Sequence, residues 1–289
     1  MFASLGFATI AGMARVVPAR MGYLVARAGA RLHHAASPSR RAAVAENLAH
    51  VRAFQPEFGP EEHRHRQAAV LATFESHGVL LFEWLRASAG ARYPLPLAGS
   101  EHLDRALREG RGAILVTCHL GNWEVAATEL ARAGYPLTVV TGEQLGRLAP
   151  AVRRDKARHG IEVVRPADGM RALYRQLAAN RIITLLIDGD VYWRGQPIDF
   201  LGAPAPLPWG AVRLARSTGA PLIAATMRRT GPGAFAAAIH PPVDPRGDVH
   251  AVMRALLTPL EDAIATDPTQ WCLFRPLWRT LGCATGGVR

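Results

Sequence analysis

Apolar and polar residues follow two different patterns along this chain, and the change falls near residue 93. Up to about Arg86 the spacing is helical. From Pro94 onward, short apolar runs typical of buried strands alternate with segments of helical spacing. The strand-like runs are 113–117, 137–140, 161–164, 182–187 and 221–227, with 234–239 as a further candidate. The helical segments are 100–109, 123–133, 148–158, 170–179, 209–217 and 249–265.

Strands that alternate with helices indicate an α/β fold with a mostly parallel central sheet covered by helices on both faces. We therefore predict one structural domain with two parts. Residues 1–92 form a helical N-terminal segment that packs on the core and on the membrane interface, and residues 93–289 form the α/β core. Ser100 is the predicted N-cap of the first core helix, because its hydroxyl can accept a backbone hydrogen bond.

The N-terminal segment has the composition of a helix that lies in a membrane interface. Residues 1–14 carry no charge, but the apolar run stops at Arg15, short of the ~20 residues that a spanning helix needs. Arg20, Arg27 and Arg31 fall near one helix face, and no acidic residue occurs before Glu46. Cations on one face of an apolar helix suit anionic headgroups. An ordinary core helix is the alternative.

The charge balance favours an anionic partner. The chain has 34 Lys and Arg residues against 23 Asp and Glu residues, a net charge of +11, which suits nucleic acid, an acidic lipid surface or a phosphorylated substrate. All but one of the basic residues are arginine, which binds phosphates bidentately, although a GC-rich genome explains the same bias. A basic strand with interleaved aromatic residues is missing, so we predict no nucleic-acid partner.

Several enzyme and scaffold classes lack their sequence signatures here. Cys118, Cys272 and Cys283 have no C-x-x-C spacing, which argues against a disulfide scaffold and a structural zinc site and fits a reducing cytosol. The chain has no phosphate loop that ends in Lys-Ser/Thr, no complete dinucleotide fingerprint and no G-x-S-x-G elbow. NTPases, Rossmann dehydrogenases and serine α/β-hydrolases are therefore disfavoured.

The end of the first strong strand carries a candidate catalytic pair, His119 and Glu124. Five residues apart on one helix they would point away from each other. If the helix starts at Gly121 or Asn122, however, His119 lies in the preceding turn and Glu124 can reach back to it. A carboxylate there fixes the tautomer and stabilises the imidazolium, as is needed to activate a hydroxyl. A Cys118 nucleophile is the rival, but neighbouring side chains on a strand end point to opposite faces, so we expect Cys118 to be a buried hydrophobe.

The stretch 110–124, GRGAILVTCHLGNWE, resembles the H-x4-D/E block of the bacterial lipid A biosynthesis acyltransferase family. That family comprises late lauroyl and myristoyl transferases and includes the phosphatidylinositol mannoside acyltransferases. Other segments resemble further family motifs in the same order: 18–23, 45–48, 188–190, 200–202, 214–220 and 268–271. The resemblance extends over nearly the whole chain.

The resemblance implies transfer of an acyl chain from acyl-CoA or acyl carrier protein to a hydroxyl of a membrane lipid or glycolipid. It implies His119 as the general base and Glu124 as its partner, with backbone amides at the helix start as donors to the oxyanion. We expect no covalent acyl-enzyme, no cofactor and no metal. The expected location is peripheral, on the cytoplasmic face of the inner membrane.

A second strand end carries Asp188 and Asp190, and three interpretations of them stay open. The two acids can belong to a turn. They can form the D-x-D metal site of a glycosyltransferase, which is the alternative function. They can also be the acidic element beside His119, which is what the resemblance favours. A lipid- or nucleic-acid-binding protein without enzymatic activity is a further alternative.

The remaining candidates are substrate-binding residues. Lys156 and Arg158 share the prediction of a phosphate contact, since Lys156 stands where the family commonly has arginine. Arg194 is a further cation candidate, in the loop after the two acids. Asn122 and Trp123 are expected to contact substrate beside His119, together with Asp190 at the second strand end. The residues expected to line an acyl channel are Phe200, Trp193, Leu201 and Trp209.

Overall fold

Four helices occupy the described residues up to 88 in the structure, a computed structural model that describes residues 2–54, 63–141, 149–189 and 195–278. They are α1 (Phe2–Val16), α2 (Ala19–Ala36), α3 (Pro38–Phe54) and α4 (His63–Ser88). The first three all pack on α4, which also contacts the α/β part. The helical periodicity of this part of the sequence is confirmed.

Helix α4 is long and apolar enough to cross a membrane, judged by length and composition alone. However, 39% of its apolar window is buried inside the protein. Phe74, Leu80 and the charged Glu83 are at most 1% exposed. Gly78 packs directly on Ala26 and Ala30 of α2. These contacts are those of a core helix.

The rest of the described chain alternates strands and helices. The strands are β1 (Leu97–Ala98), β2 (Ala113–Thr117), β3 (Leu137–Val140), β4 (Glu162–Val164), β5 (Ile182–Leu186), β6 (Gln196–Phe200), β7 (Ala203–Leu207), β8 (Leu222–Gly231) and β9 (Ala234–Ile239). The helices are α5 (Ser100–Arg108), α6 (Trp123–Arg132), α7 (Ala149–Arg158), α8 (Gly169–Ala178), α9 (Gly210–Thr218) and α10 (Val249–Thr266).

Seven of these strands form one sheet in the order β1-β9-β8-β2-β5-β3-β4. Strands β8, β2, β5, β3 and β4 are parallel, and β9 runs antiparallel to β8. Residues of α8, α9 and α10 cover one face, and residues of α5 and α6 cover the other. Strand β2 is almost continuously apolar because both of its faces are buried. The predicted α/β class with a mostly parallel sheet is confirmed.

The structure differs from the sequence predictions at two places in the α/β part. The prediction that Ser100 caps α5 was wrong. The N-cap is Gly99, whose φ is +72° and whose added Cβ would lie 2.1 Å from the carbonyl oxygen of Ile239. The antiparallel hairpin β6–β7 was also not predicted, because its three prolines weaken a strand pattern. Most other boundaries agree within one residue, while β8 extends four residues further.

Candidate active site

The turn between β2 and α6 places His119 and Glu124 as the sequence predicted. The side chain of Asn122 accepts a hydrogen bond from the amide of Val125 at 3.1 Å and caps α6, which begins at Trp123. Gly121 has φ +65°, and a Cβ there would lie 2.5 Å from the carbonyl oxygen of Met227, so only glycine fits this approach. His119 therefore precedes the helix, and Glu124 lies in its first turn.

Asp188 holds the imidazole of His119. Its Oδ1 lies 2.8 Å from Nδ1 of His119, and its Oδ2 accepts from the His119 backbone amide at 2.9 Å. The indole of Trp271 donates to the same Oδ2 at 2.7 Å. Strands β2 and β5 are parallel neighbours, so their carboxyl ends bring the two residues to one edge of the sheet. The Asp188 side chain is fully buried, whereas that of His119 is 25% exposed.

The pKa of Asp188 reflects opposing effects. Burial alone would raise the pKa, because desolvation disfavours the charged carboxylate. The charge of His119 and the hydrogen bonds from His119 and Trp271 act in the other direction and prevail, so the pKa lies below its ordinary value. Asp188 is thus an ionised carboxylate at neutral pH, and Nδ1 of His119 donates to it.

Glu124 has a different partner from the one predicted. Its carboxylate pairs with the ammonium of Lys156 from α7, and the Lys156 side chain is only 4% exposed. The prediction that Glu124 reaches back to His119 is corrected here, since Nδ1 of the imidazole is occupied by Asp188. The predicted phosphate contact of Lys156 is also not supported, because this buried ammonium already has an anionic partner.

An apolar cavity of about 310 Å³ opens beside His119. It lies between the carboxyl ends of β2, β3 and β5 and the helices α8 and α9. The ring of Trp123 stands edge-on to His119, with centroids 4.8 Å apart and an interplanar angle of 80°. Glu124 and Gly189 also line the cavity. Its apolar lining consists mainly of Val116, Val140, Met170, Leu173, Leu185, Leu186, Ile187, Pro208, Ala211 and Leu214.

Comparisons with known proteins identify the family of this chain. The model of the family described as bacterial lipid A biosynthesis acyltransferase matches residues 1–280. The chain belongs to this family. It is 31% identical to a phosphatidylinositol mannoside acyltransferase of Mycobacterium tuberculosis over 79% of this chain and 80% of that protein. It is also 31% identical to a phosphatidylinositol mannoside acyltransferase of Mycolicibacterium smegmatis, over 95% of this chain and 90% of that protein. The protein is therefore an acyltransferase.

Several residues with predicted roles lie away from the cavity of this acyltransferase. Cys118 is buried, and burial raises the pKa of its thiol well above the ordinary value, which fits a small core residue rather than a nucleophile. The predicted substrate contact of Asn122 is not supported, because its side chain is fully buried, its NH₂ donates to Glu83 and to the carbonyl of Leu80, and its oxygen caps α6. Arg158 is exposed on α7 and does not line the cavity.

The predicted acyl-channel residue Phe200 is a core residue in the structure. It is fully buried, and its ring packs edge-on to Trp271 at 6.1 Å. Along β6 only Ile198 and Phe200 face the core, because alternate residues of a strand point to opposite sides. Leu201 is likewise buried, and Trp209 packs against the same core cluster. The predictions for Asp190, Trp193 and Arg194 lie outside the described residues.

The sequence did not identify Lys156 as a partner of Glu124 or Trp271 as a partner of Asp188. The 268–271 segment matches a family motif, but the match by itself assigns no function to Trp271. Nor does the described part of the chain contain a cluster of three His, Cys, Asp or Glu residues able to hold a metal ion. The alternative of a metal-dependent glycosyltransferase finds no support in this part of the structure or in the comparisons.

Gly189 allows a direct test of the site's geometry. A Cβ at this position would lie 2.9 Å from Cε1 of His119, so Gly189→Ala should displace the imidazole and lower the acyl-transfer rate at least ~10-fold. Gly210→Ala is the matched control, because Gly210 also lines the cavity but an added Cβ meets nothing within 4 Å. Equal rates in the two variants, measured as ester formation from acyl-CoA, would contradict the placement of His119.

Proposed function

We propose that this protein transfers a fatty acyl chain from an acyl thioester to a hydroxyl of a membrane glycolipid. The observation that carries the proposal is the His119–Asp188 pair at the wall of an apolar cavity. An imidazole whose Nδ1 donates to a buried carboxylate has a basic Nε2, and an apolar cavity suits a hydrocarbon chain. Both requirements of the reaction meet at one edge of the sheet.

In the proposed reaction, Nε2 of His119 removes the proton of the acceptor hydroxyl as its oxygen attacks the thioester carbonyl. The C–O bond forms, and collapse of the tetrahedral intermediate breaks the C–S bond. The departing thiolate takes the proton from the His119 imidazolium, so the enzyme returns to its starting state. Asp188 stabilises the transient imidazolium, in the manner of the carboxylate of a catalytic triad.

The start of α6 is the proposed site of oxyanion stabilisation. The amides of Gly121 and Val125 already donate to Gln270 and Asn122. The backbone amides of Trp123 and Glu124, in the first turn, are the candidate donors, since a helix N-terminus favours developing negative charge. We propose that the carboxylate of Glu124, neutralised by Lys156, contacts the polar part of the acceptor.

The acceptor class follows from the relatives, which are named for phosphatidylinositol mannosides. The proposal is tested by mass spectrometry of total lipids from cells with and without the gene. We expect one glycolipid series to lose a single acyl chain when the gene is deleted and to regain it on complementation. An unchanged lipid profile would contradict the proposed acceptor class.

We also propose that the acyltransferase docks on an anionic membrane through α1 and α2. Seven large apolar side chains on these helices are between 55% and 79% exposed. They are Ile10, Met13, Val16, Met21, Leu24, Val25 and Leu32. The same helices expose Arg15, Arg20 and Arg27 to solvent, so apolar insertion and electrostatic attraction to acidic lipids act together.

The docking proposal predicts that Leu24→Asp weakens binding to vesicles of phosphatidylglycerol. Leu24 is 68% exposed, and a carboxylate there both removes apolar area and repels an anionic bilayer, so we expect a loss of ~10-fold or more in the partition coefficient. Ala255→Asp on α10 is the control, because Ala255 is exposed on a helix of the α/β part. Co-sedimentation measures both, and equal binding of the two variants would contradict the assignment of α1 and α2.

A further inference from the structure

The segment that follows α10 runs directly beneath the His119 turn. A short 3₁₀ turn, Pro268–Gln270, comes first. The next residue, Trp271, forms an antiparallel bridge with Leu120 of the His119 turn. The amide of Cys272 donates to the carbonyl of His119 at 2.8 Å, and the amide of Gly121 donates to the carbonyl of Gln270 at 3.1 Å. The same segment therefore holds the His119 backbone from both sides of Trp271.

Trp271 completes the hydrogen bonding of the buried Asp188. Oδ1 of Asp188 bonds to the imidazole of His119. Oδ2 accepts two hydrogen bonds, one from the His119 backbone amide and one from the Trp271 indole. The guanidinium of Arg275, from the same segment, donates to the backbone carbonyl of Asp188 at 2.6 Å. A buried carboxylate depends on such donors, because it has lost its water.

We infer that Trp271 is a positioning residue, which acts through Asp188 to set the orientation and the basicity of His119. This inference rests on the proposed function. The indole is locked in place, since Trp271 is 2% exposed and packs edge-on to both Phe200 and Trp278. Its N–H withdraws charge from Oδ2 and fixes the carboxylate plane, so that Oδ1 faces the imidazole.

Loss of the Trp271 indole changes the proton affinity of His119 in one direction. Without the indole donor, more negative charge stays on the Asp188 carboxylate that faces His119. The carboxylate then stabilises the protonated imidazole more strongly. Since a general base must be deprotonated to act, the acid limb of the pH–rate profile should move to higher pH. We expect a shift of about one pH unit, the size that a hydrogen bond to a charged group allows.

The test is an NMR titration of the His119 imidazole in the full chain, with the resonance assigned by comparison with His119→Gln. Trp271→Phe removes the donor and should raise the titration midpoint of His119 by about one pH unit. Trp278→Phe is the matched control, because its indole donates to the carbonyl of Ala203 instead and it packs on Trp271 in the same core. This control should leave the midpoint within about 0.2 units of the original protein.

If Trp271→Phe does not fold, benzothienylalanine introduced at position 271 by stop-codon suppression keeps the ring shape and replaces the N–H by sulfur. An unchanged His119 midpoint in the folded variant would overturn the inference. So would an equal shift in Trp278→Phe, or a full shift that persists when Asp188→Asn is added. The titration needs no turnover, so an inactive original protein with a shifted midpoint would contradict the proposed function alone.

Discussion

Replacement of His119 by alanine is expected to lower the rate of acyl transfer by about 10²–10⁴-fold, the usual contribution of a general base. Its imidazole lines the cavity with Nδ1 held by Asp188 at 2.8 Å, and the proposed reaction has its Nε2 take the proton of the acceptor hydroxyl. The measurement is ester formation from acyl-CoA and glycolipid by the purified protein at saturating substrate. Unchanged unfolding curves would show that the loss concerns the chemical step.

Two further variants distinguish a His119 general base from a Cys118 nucleophile. Cys118→Ala should keep most of the activity, because Cys118 is a buried residue with a raised thiol pKa. Asp188→Asn should approach the loss seen in His119→Ala, since an amide no longer selects the tautomer or stabilises the imidazolium. Equal inactivation of Cys118→Ala and His119→Ala in folded protein would support a thiol nucleophile and contradict the account.

Replacement of Glu83 by alanine is expected to lower the free energy of unfolding by about 3–5 kcal/mol, because it leaves a buried cation without its partner. The Glu83 carboxylate is fully buried, and the Arg229 guanidinium donates to it from both Nε and Nη2 at 3.0–3.1 Å. Asn122 and Tyr23 donate to the same carboxylate at 2.9 and 3.2 Å. Glu83 thus connects α4 and α2 with β8 and with the cap of α6, and urea unfolding measures the loss.

Glu75→Ala is the control for this second prediction. Glu75 lies two turns earlier on the same helix and pairs with Arg31 at 2.7 Å, but the Arg31 side chain is 65% exposed. Exposed ion pairs contribute little, so the expected loss is below about 1 kcal/mol. A cost for Glu83→Ala as small as that for Glu75→Ala would contradict the view that the buried Glu83–Arg229 pair joins the helical part to the sheet.

The positions of the catalytic candidates were predictable because they depend on local rules. The apolar runs at β2 and β5 are short and continuous, as buried parallel strands require, and His119 and Asp188 are each the second residue after their strand. Parallel strands end at the same edge of a sheet, so the sequence alone places His119 and Asp188 at one edge. The start of α6 was predicted from a contact between His119 and Glu124 that the structure does not show, and the feature that sets it is the cap formed by Asn122.

An acidic element beside His119 was one of three interpretations of Asp188, and the residue pattern alone could not choose among them, because the pairing depends on which strands are neighbours. His119 and Glu124 are five positions apart, and this spacing allows a contact without requiring it. Strand β5 turned out to lie directly beside β2, so Asp188 occupies Nδ1 of His119. Lys156 reaches Glu124 from α7, a helix 32 residues further along the chain, and no local pattern encodes that approach.

Neither the β6–β7 hairpin nor the contact of Trp271 with Asp188 was predicted from the sequence. Pro197 and Pro206 stand opposite each other in the hairpin, and proline normally argues against a strand. The hairpin tolerates them because it is a separate two-stranded unit, and it buries Ile198 and Phe200 in the core through side chains alone. Trp271 looks like an ordinary core residue in the sequence, since only the three-dimensional structure shows its indole directed at Asp188.

Metal-independent acyl transfer by His119 is measured in a thiol-release assay with the purified protein, acyl-CoA and a phosphatidylinositol mannoside in the presence of EDTA. We expect free CoA to appear only when the glycolipid is present, in equal amount to the acylated product, and to be lost in His119→Ala, as the proposed role of His119 requires. Thiol release that needs an added metal ion, or that continues in His119→Ala at the original rate, would contradict it.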